Sequence, residues 1–275
     1  MSDEQPYKQF KGWTIPGPRV PGEVEPEGGE TLDALSGHFK IFQYRDGHRF
    51  STDDVLTAWY GTQCCPTARR ILDLGSGIGS VGMIAAWRSP GARVTTVEAQ
   101  AQSVRLARKS ARFNGIEGRY EIHEGDLRSF TAAPEFDLVL GSPPYFPLGT
   151  GVLGDGDQKI QCRFEVRGDI RDYCAAARLA LAPGGVFACV FPADQDPRLV
   201  EGAAQARLVR LRRRPIVFRE GADPLLMVSA LMREEDLPEA RRARLWTESE
   251  LIIRTADGQV GLEYSAIKIS VGFPP

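Results

Sequence analysis

Apolar and polar residues alternate regularly from Arg70 onwards, where short apolar runs are separated by stretches with helical spacing. RRILDL, ARVTTVEA, RYEIHEGD, FDLVLG and VFACVFP read as strands, whereas SVGMIAAWR, QSVRLARKSARFNG and DIRDYCAAARLALAPGG read as helices. This alternation predicts a parallel, doubly wound sheet. Later, RLVRLRRRPIVF and PLLMVSALMR follow each other without a full helix, which predicts an antiparallel hairpin. We therefore expect an α/β fold with a mostly parallel, seven-stranded, Rossmann-like sheet and an antiparallel C-terminal hairpin.

The N-terminal segment differs from the rest of the chain in composition. Residues 1–36 include IPGPRVPGEVEPEGGE and are rich in Pro, Gly and Glu, so we predict a flexible arm. The folded domain is predicted to span residues 37–275, and it begins with the strand-like pattern HFKIFQY.

Bulk composition narrows the class of protein. The 275 residues are 42% hydrophobic and 25% charged with a net charge of −2, which is ordinary for a globular domain. The five cysteines are odd in number and form no CxxC pair, so we expect no disulfide framework, no metal site and a reducing compartment, the cytoplasm. No signal-peptide pattern and no membrane-length apolar run is visible, so we expect no membrane contact.

Candidate chemistry begins at the glycine-rich turn in ILDLGSGIGS. Gly75 and Gly77 allow a sharp turn and let a ligand approach the start of the next helix. Asp73 comes just before this turn, Glu98 ends the next strand and Asp126 follows the third. A carboxylate at the Glu98 position can accept from both hydroxyls of a ribose, and Asp126 can accept from the amino group of an adenine. Together these residues predict a cofactor that contains a nucleoside.

At these motifs the sequence resembles the class I S-adenosylmethionine-dependent methyltransferases, from residue 37 nearly to the C-terminus. DLGSGIG, VEA and GDL match the cofactor motifs of that superfamily, whereas an NAD fingerprint would prefer G-x-G-x-x-G. The resemblance implies that Asp73, Gly75 and Gly77 surround the methionine part of S-adenosylmethionine. It also implies that Glu98 holds the ribose and that Asp126 meets the adenine.

The fourth strand ends in SPPYF, which resembles the (Asn/Asp/Ser)-Pro-Pro-(Tyr/Phe) motif of amino-group methyltransferases. By this resemblance Ser142, Pro143, Pro144 and Tyr145 are the catalytic residues. The Ser142 oxygen and the Pro143 carbonyl can accept the hydrogens of an exocyclic amine, and the rigid turn aims that carbonyl. Tyr145, together with Phe146 as a substrate-binding residue, offers a stacking surface for a base turned out of its stack.

Longer stretches resemble the family of tRNA adenine-N6 methyltransferases that act beside the anticodon of a valine tRNA. QYRDGHRFSTDDVLTAWYG resembles the N-terminal segment of that family, in which residues matching Phe50, Thr52 and Asp53 lie near the cofactor. CRFEVRGDIRDYCAAARLALAPGG and LIIRTADGQVGLEYSAI resemble later stretches. The resemblance implies methyl transfer from S-adenosylmethionine to an exocyclic amino nitrogen, adenine N6 in tRNA.

The sequence leaves alternatives open. Adenine-directed relatives usually carry Asn where this chain has Ser142, and Ser is frequent in enzymes that act on cytosine N4. A release-factor type protein glutamine-N5 methyltransferase and a non-catalytic cofactor- or RNA-binding relative are the other readings.

Arginine clusters favour RNA as the partner. Arg212 and Arg213 lie in RLVRLRRRPIVFR and suit contacts with the phosphates of a substrate RNA. The competing interpretation is an edge strand protected by its charge. We expect RNA, tRNA above all, as the partner, and a monomer or homodimer as the assembly.

Overall fold

The structure is a computed structural model that describes residues 12–47, 49–131, 133–145 and 168–275. Its strands are β1 (Glu30–Ala34), β2 (Lys40–Tyr44), β3 (Arg70–Leu74), β4 (Arg93–Glu98), β5 (Tyr120–Glu124), β6 (Phe136–Gly141), β7 (Leu181–Pro192), β8 (Leu208–Val217), β9 (Leu226–Arg233), β10 (Trp246–Thr247) and β11 (Leu251–Ile252). Its helices are α1 (Thr52–Cys64), α2 (Ser80–Arg88), α3 (Ala101–Phe113), α4 (Ile170–Ala180), α5 (Asp196–Gln205), α6 (Glu239–Arg242) and α7 (Leu262–Ser270).

The central sheet is mixed, with the strand order β10-β8-β9-β7-β6-β3-β4-β5, and β11 also pairs with β8. The neighbours β7/β6, β6/β3, β3/β4 and β4/β5 are parallel. The chain runs outward from β3 to β4 and β5 and then crosses to β6 on the other side of β3. This reversal leaves a crevice at the carboxyl ends of β3, β4 and β6, where ligands bind in open α/β sheets.

The other side of the sheet contains the antiparallel pairs. Strand β9 lies between β7 and β8 and is antiparallel to both. Within the described residues the sheet has nine strands, whereas the sequence predicts seven. The difference is the pair β10 and β11, because strands of two residues are too short to produce a period-two pattern.

Two apolar clusters cover the two faces of the sheet. Ile71 of β3 packs in the cluster that includes residues of α1, α2, α3 and α7, whereas its neighbour Leu72 packs with α4 and α5. Leu138 and Val139 of β6 divide in the same way. This alternation is the strand period of two applied to a sheet that is buried on both faces. Among the described residues, no helix has the length and apolarity needed to cross a membrane.

The segment predicted as a flexible arm contains a strand. Glu30–Ala34 pairs antiparallel with Lys40–Tyr44 in a separate two-stranded sheet. The side chain of Glu30 is buried and bonds to Arg105 and, at 2.7 Å, to the ammonium group of Lys109 on α3. These ion pairs and the strand pairing hold the segment against the domain, which composition alone did not indicate. The prediction for residues 1–11 lies outside the described residues.

Candidate active site

A cavity of about 670 Å³ lies at the carboxyl ends of β3, β4 and β6. Its volume is within the range of small-molecule and cofactor sites. Most of the predicted cofactor and catalytic residues come together in its wall: Asp73, Gly75, Gly77, Glu98, Asp126, Ser142, Pro143, Pro144 and Tyr145.

The floor of the cavity is the glycine turn between β3 and α2. Asp73 is buried, and its carboxyl accepts a 2.8 Å hydrogen bond from the N–H of Gly82. Burial raises the pKa of Asp73 well above its ordinary value, although the Gly82 bond opposes the rise. Gly75 and Gly77 both have positive φ angles, and a Cβ on Gly75 would overlap the Tyr173 hydroxyl. A Cβ on Gly77 would meet no atom of the described residues within 4 Å, so the backbone there faces open space.

The carboxylate of Glu98 is fixed at the end of β4 by two backbone donors. Its two oxygens accept hydrogen bonds from Gly77 N–H at 2.8 Å and from Gln100 N–H at 2.7 Å. Each carboxylate oxygen can accept more than one hydrogen bond, so both can still bind a ligand hydroxyl. The bond to Gly77 also links the end of β4 to the glycine turn.

Asp126 also reaches the cavity, and it is already engaged by Arg128. The Arg128 guanidinium donates from Nε at 2.9 Å and from Nη2 at 2.6 Å to the two carboxylate oxygens. This pairing orients Asp126 and gives Arg128 a supporting role. Sequence reasoning missed Arg128, although its position two residues after Asp126 was visible.

The side chain of Tyr145 is tied to the start of α1. Its hydroxyl donates a 2.6 Å hydrogen bond to Asp53, and its ring lies edge-on to Phe191 with centroids 6.3 Å apart. The Ser142 side chain also hydrogen-bonds to Tyr145. Burial raises the pKa of Asp53, a rise that the Tyr145 bond opposes, and it raises the pKa of Tyr145 well above its ordinary value. Ser142, Tyr145 and Asp53 therefore form a chain of hydrogen bonds along one wall.

The starts of α1 and α2 meet at the same wall. Asp54 is buried and accepts from Ser51 N–H at 2.7 Å and from the Ser80 hydroxyl at 2.9 Å. Asp54 therefore caps α1 and connects it to the first residue of α2. Together with Asp53, Asp73, Glu98 and Asp126, it places five carboxyl groups in the wall of one cavity.

Phe50 and Thr52 were predicted to lie near the cofactor, and the structure does not bring them to this cavity. The Phe50 ring packs near Phe273, with centroids 6.1 Å apart, and Thr52 lines a second, smaller cavity. Their neighbours Ser51 and Asp53 line the main cavity instead. The correction has a geometric reason: successive side chains at the start of a helix point in different directions.

Arg212 and Arg213 lie on β8 and do not line the cavity, and their predicted role in substrate binding stays a prediction. The Arg212 guanidinium lies 3.1 Å from Glu248 and 4.5 Å from the centroid of the Trp246 ring. Arg213 donates to the Thr247 hydroxyl at 3.0 Å. These contacts attach β10 to β8, which is paired on both sides at Arg212 and Arg213, so they support a structural role within the sheet. The third predicted substrate residue, Phe146, lies outside the described residues.

The cavity wall also contains residues that the sequence did not single out. Arg45 and Arg49 lie at the cavity on the segment before α1, and Arg49 pairs with Asp33 at 2.9 Å. The run QYRDGHRF contained a signal for them, since it places two arginines just before the helix that carries Asp53. Among the described residues, no group of three or more His, Cys, Asp or Glu side chains is arranged to hold a metal ion.

Comparison with solved structures identifies the fold. A predicted O-methyltransferase from Agrobacterium tumefaciens superposes with a TM-score of 0.61 at 20% identity, over 81% of this chain and 98% of that one. TYW2 from P. horikoshii, solved in complex with MeSAdo, gives a TM-score of 0.51 at 15% identity, over 75% of this chain and 72% of that one. Both likenesses show a methyltransferase fold of the Rossmann-like type.

Comparison of sequences identifies the family. Residues 56–152 match the methyltransferase small domain family. The tRNA1(Val) (adenine(37)-N6)-methyltransferase of Aeromonas hydrophila is 28% identical over 82% of this chain and 91% of its own length. The protein of the same name from Porphyromonas gingivalis is 30% identical over 63% of this chain and 70% of its own length. On these matches, the chain belongs to the tRNA1(Val) (adenine(37)-N6)-methyltransferase family and is an S-adenosylmethionine-dependent N-methyltransferase.

Proposed function

We propose that this enzyme methylates the N6 atom of an adenine in tRNA, and that the valine tRNA for which its relatives are named is the substrate. The main support for the proposal is that the glycine turn and the Ser142–Tyr145 turn line the same cavity. The Ser142–Tyr145 turn follows β6, the glycine turn follows β3, and these two strands are neighbours. A methyl donor on one turn and an amine on the other would then lie side by side.

The cavity wall suits S-adenosylmethionine, which supplies a methyl group on a positively charged sulfonium sulfur when bound. The open space over Gly77 permits close approach of a ligand to the backbone. Glu98 would accept from ribose hydroxyls in addition to its present contacts, because a carboxylate oxygen can accept more than one hydrogen bond. Asp126 lies in the same wall and would accept from the amino group of an adenine in addition to its bonds from Arg128.

The amino group to be methylated needs acceptors because its lone pair is delocalised into the base. Ser142 and the carbonyl of Pro143 would accept its two hydrogens and favour the pyramidal geometry that attack requires. The hydrogen-bond chain to Tyr145 and Asp53 supports this role for a serine. If Tyr145 gives its hydrogen to Asp53, it can accept the hydrogen of Ser142, which leaves the Ser142 lone pairs for the amine.

The target base would stack on Tyr145, which contributes about 1–3 kcal/mol per base in comparable sites. Catalysis would then depend on positioning the amine in line with the methyl group. In the transfer a bond forms between nitrogen and the methyl carbon, the carbon–sulfur bond breaks, and the nitrogen loses one proton. Ser142 in place of the usual Asn makes the identity of the base the first point to test.

The test incubates the protein with labelled S-adenosylmethionine and total RNA, followed by mass spectrometry of the modified nucleosides. We expect N6-methyladenosine in the tRNA fraction. N4-methylcytidine would contradict the choice of base, and label found only in protein would favour the glutamine-directed alternative.

A matched variant tests the role of Ser142. We expect Ser142→Ala to lower the rate of transfer by about 2–10-fold, the value of one neutral hydrogen bond. The affinity for S-adenosylmethionine, measured by calorimetry, should stay unchanged. An equal loss of both would contradict the assignment of Ser142 to the amine.

A further inference from the structure

A second cavity of about 330 Å³ shares the start of α1 with the first. Its wall contains Thr52, Tyr264, Arg254 and Lys268, together with the apolar side chains of Phe218, Ile253 and Val260. Thr52 separates Ser51 and Asp53, which line the main cavity. The two cavities therefore meet across the first turn of α1.

The charged side chains that line this second cavity are both cations, and the charge of Asp53, which lines the main cavity, acts on Tyr264. Arg254 donates to the carbonyl of Gly258 at 3.0 Å, and neither Arg254 nor Lys268 forms an ion pair within the described part of the chain. Nearby carboxylates are used elsewhere: Glu263 pairs with Arg214 at 2.6 Å, and Glu220 accepts from Ala256 N–H at 3.0 Å. Burial, and then the charge of Arg254, lower the pKa of Lys268, as expected when two cations share one half-enclosed space.

Neutral donors in the same wall suit an anion. The hydroxyls of Thr52 and Tyr264 hydrogen-bond to each other, and Thr52 is the first residue of α1, where free backbone N–H groups and the helix dipole favour negative charge. Two cations, two hydroxyls and a helix start are the groups that bind phosphate oxygens. The apolar side chains beside them can contact the carbon atoms of a ribose.

We propose that this second cavity binds a phosphodiester group of the RNA substrate, next to the nucleotide whose base enters the main cavity. The inference rests on the proposed function, because it assumes that an RNA base occupies the main cavity. Successive phosphates of a stacked strand lie about 3.4 Å apart along its axis. Because consecutive residues at the start of α1 line the two cavities, neighbouring groups of one polynucleotide would occupy them. The site would hold the backbone while the base turns into the active site.

The test compares two double variants that each remove two positive charges. Arg254→Gln with Lys268→Gln changes the second cavity, and Arg93→Gln with Arg112→Gln is the control, because both residues are exposed near β4 and α3. The dissociation constant for unmodified substrate tRNA is measured as a function of salt concentration. We expect the cavity variant to bind RNA about 10-fold more weakly than the control. Its slope of log K against log salt should be smaller by about 0.7, the value of one phosphate contact.

A second measurement needs no change in the protein. RNAs in which one phosphodiester at a time, on either side of the target adenosine, is replaced by a neutral methylphosphonate are titrated against wild type and the cavity variant. At one position the methylphosphonate should weaken RNA binding to wild type about 10-fold. The same substitution should not weaken RNA binding to the cavity variant any further. Calorimetry with S-adenosylmethionine serves as the check on folding, and its affinity should be equal in all proteins.

The inference is overturned if the cavity variant and the control bind RNA with equal affinity and equal salt slope, or if no methylphosphonate position depends on Arg254 and Lys268. The inference is also overturned if inorganic phosphate competes for the second cavity while the cavity variant keeps its RNA affinity, because the site would then hold a free anion. Failure of the proposed function appears in a different assay, as the absence of N6-methyladenosine in tRNA.

Discussion

Replacing Tyr145 by phenylalanine removes one hydroxyl and keeps the aromatic ring. The hydroxyl donates a 2.6 Å hydrogen bond to Asp53 and hydrogen-bonds to Ser142. The variant Tyr145→Phe therefore separates two roles proposed for this residue. The ring serves as a stacking surface, and the hydroxyl links Ser142 to Asp53.

The expected loss of stability follows from Asp53, whose carboxyl loses its hydrogen-bond donor in the variant. A hydrogen bond to a charged group contributes about 1.5–3 kcal/mol, and a buried acceptor left without its donor costs about 1–3 kcal/mol. Asp53 and Tyr145 are half-buried, so water can replace part of the lost bond. We expect the free energy of unfolding to fall by about 1–2 kcal/mol at neutral pH. For a chain of this length, the melting temperature should fall by roughly 2–5 °C.

The loss should depend on pH because Asp53 titrates. Burial raises the pKa of Asp53 above its ordinary value of 3.8, and the Tyr145 bond limits that rise. Below pH 3.8 Asp53 is protonated in both the folded and the unfolded chain, so it does not affect stability. As the pH rises through the raised pKa of the folded state, the fold loses stability, because Asp53 ionises more readily in the unfolded chain. Without the Tyr145 hydroxyl this destabilisation grows. The difference in stability between wild type and Tyr145→Phe should be widest at neutral pH and should shrink towards about pH 4.

The assay combines thermal melts with initial rates of methyl transfer. Tyr145→Phe should keep the KM for RNA, whereas Tyr145→Ala should raise it by about 5–150-fold through lost stacking. Both should lower kcat, and adding Ser142→Asn to Tyr145→Phe should restore it, because an amide oxygen accepts without help from Tyr145. The reasoning is refuted if Tyr145→Phe melts like wild type at every pH, or if Tyr145→Ala leaves KM unchanged.

Two further predictions concern the glycine turn and the N-terminal strand. Gly75→Ala should lower the melting temperature of the protein without ligand more than Gly77→Ala does, because only the Cβ at position 75 would overlap the Tyr173 hydroxyl while the two glycines have similar φ angles; equal losses would contradict the overlap. Glu30→Gln should cost about 1–3 kcal/mol of unfolding free energy at neutral pH, because Lys109 loses its buried partner and keeps the exposed Glu27. Burial opposes ionisation of Glu30, but the Glu27 N–H and the neighbouring cations outweigh burial, so the pKa of Glu30 lies below 4.5. The stability that Glu30 contributes is therefore lost as the pH falls through this lowered pKa. Denaturant unfolding curves of both proteins should converge in acid, and a constant gap would count against this explanation.

The part of the site that follows strand ends could be predicted from the sequence. Asp73 and Glu98 lie near the carboxyl ends of β3 and β4, Asp126 follows β5, and parallel strands bring their carboxyl ends to one edge of the sheet. Ser142 could be predicted for the same reason, because its strand ends at two prolines.

The contacts made by side chains from elsewhere in the chain could not be predicted. The bond between Tyr145 and Asp53 joins residues 92 positions apart, and no local pattern encodes it. Arg212 looked like a phosphate ligand in the sequence, yet its charge is matched by Glu248 in the folded chain. Phe50 and Thr52 were misplaced because a segment can approach a ligand while only every second side chain faces it.

The five carboxyl groups in the cavity wall, Asp53, Asp54, Asp73, Glu98 and Asp126, have a consequence for turnover. A sulfonium cation entering this acidic enclosure is attracted, and its charge favours the ionised form of each acid. Methyl transfer converts the sulfonium into an uncharged thioether, so the same enclosure retains the spent donor less strongly than the fresh one. The negative potential of these carboxyl groups would repel a polyanionic RNA backbone from the interior of the cavity. The same potential would also help to exchange the spent donor for the next molecule of S-adenosylmethionine.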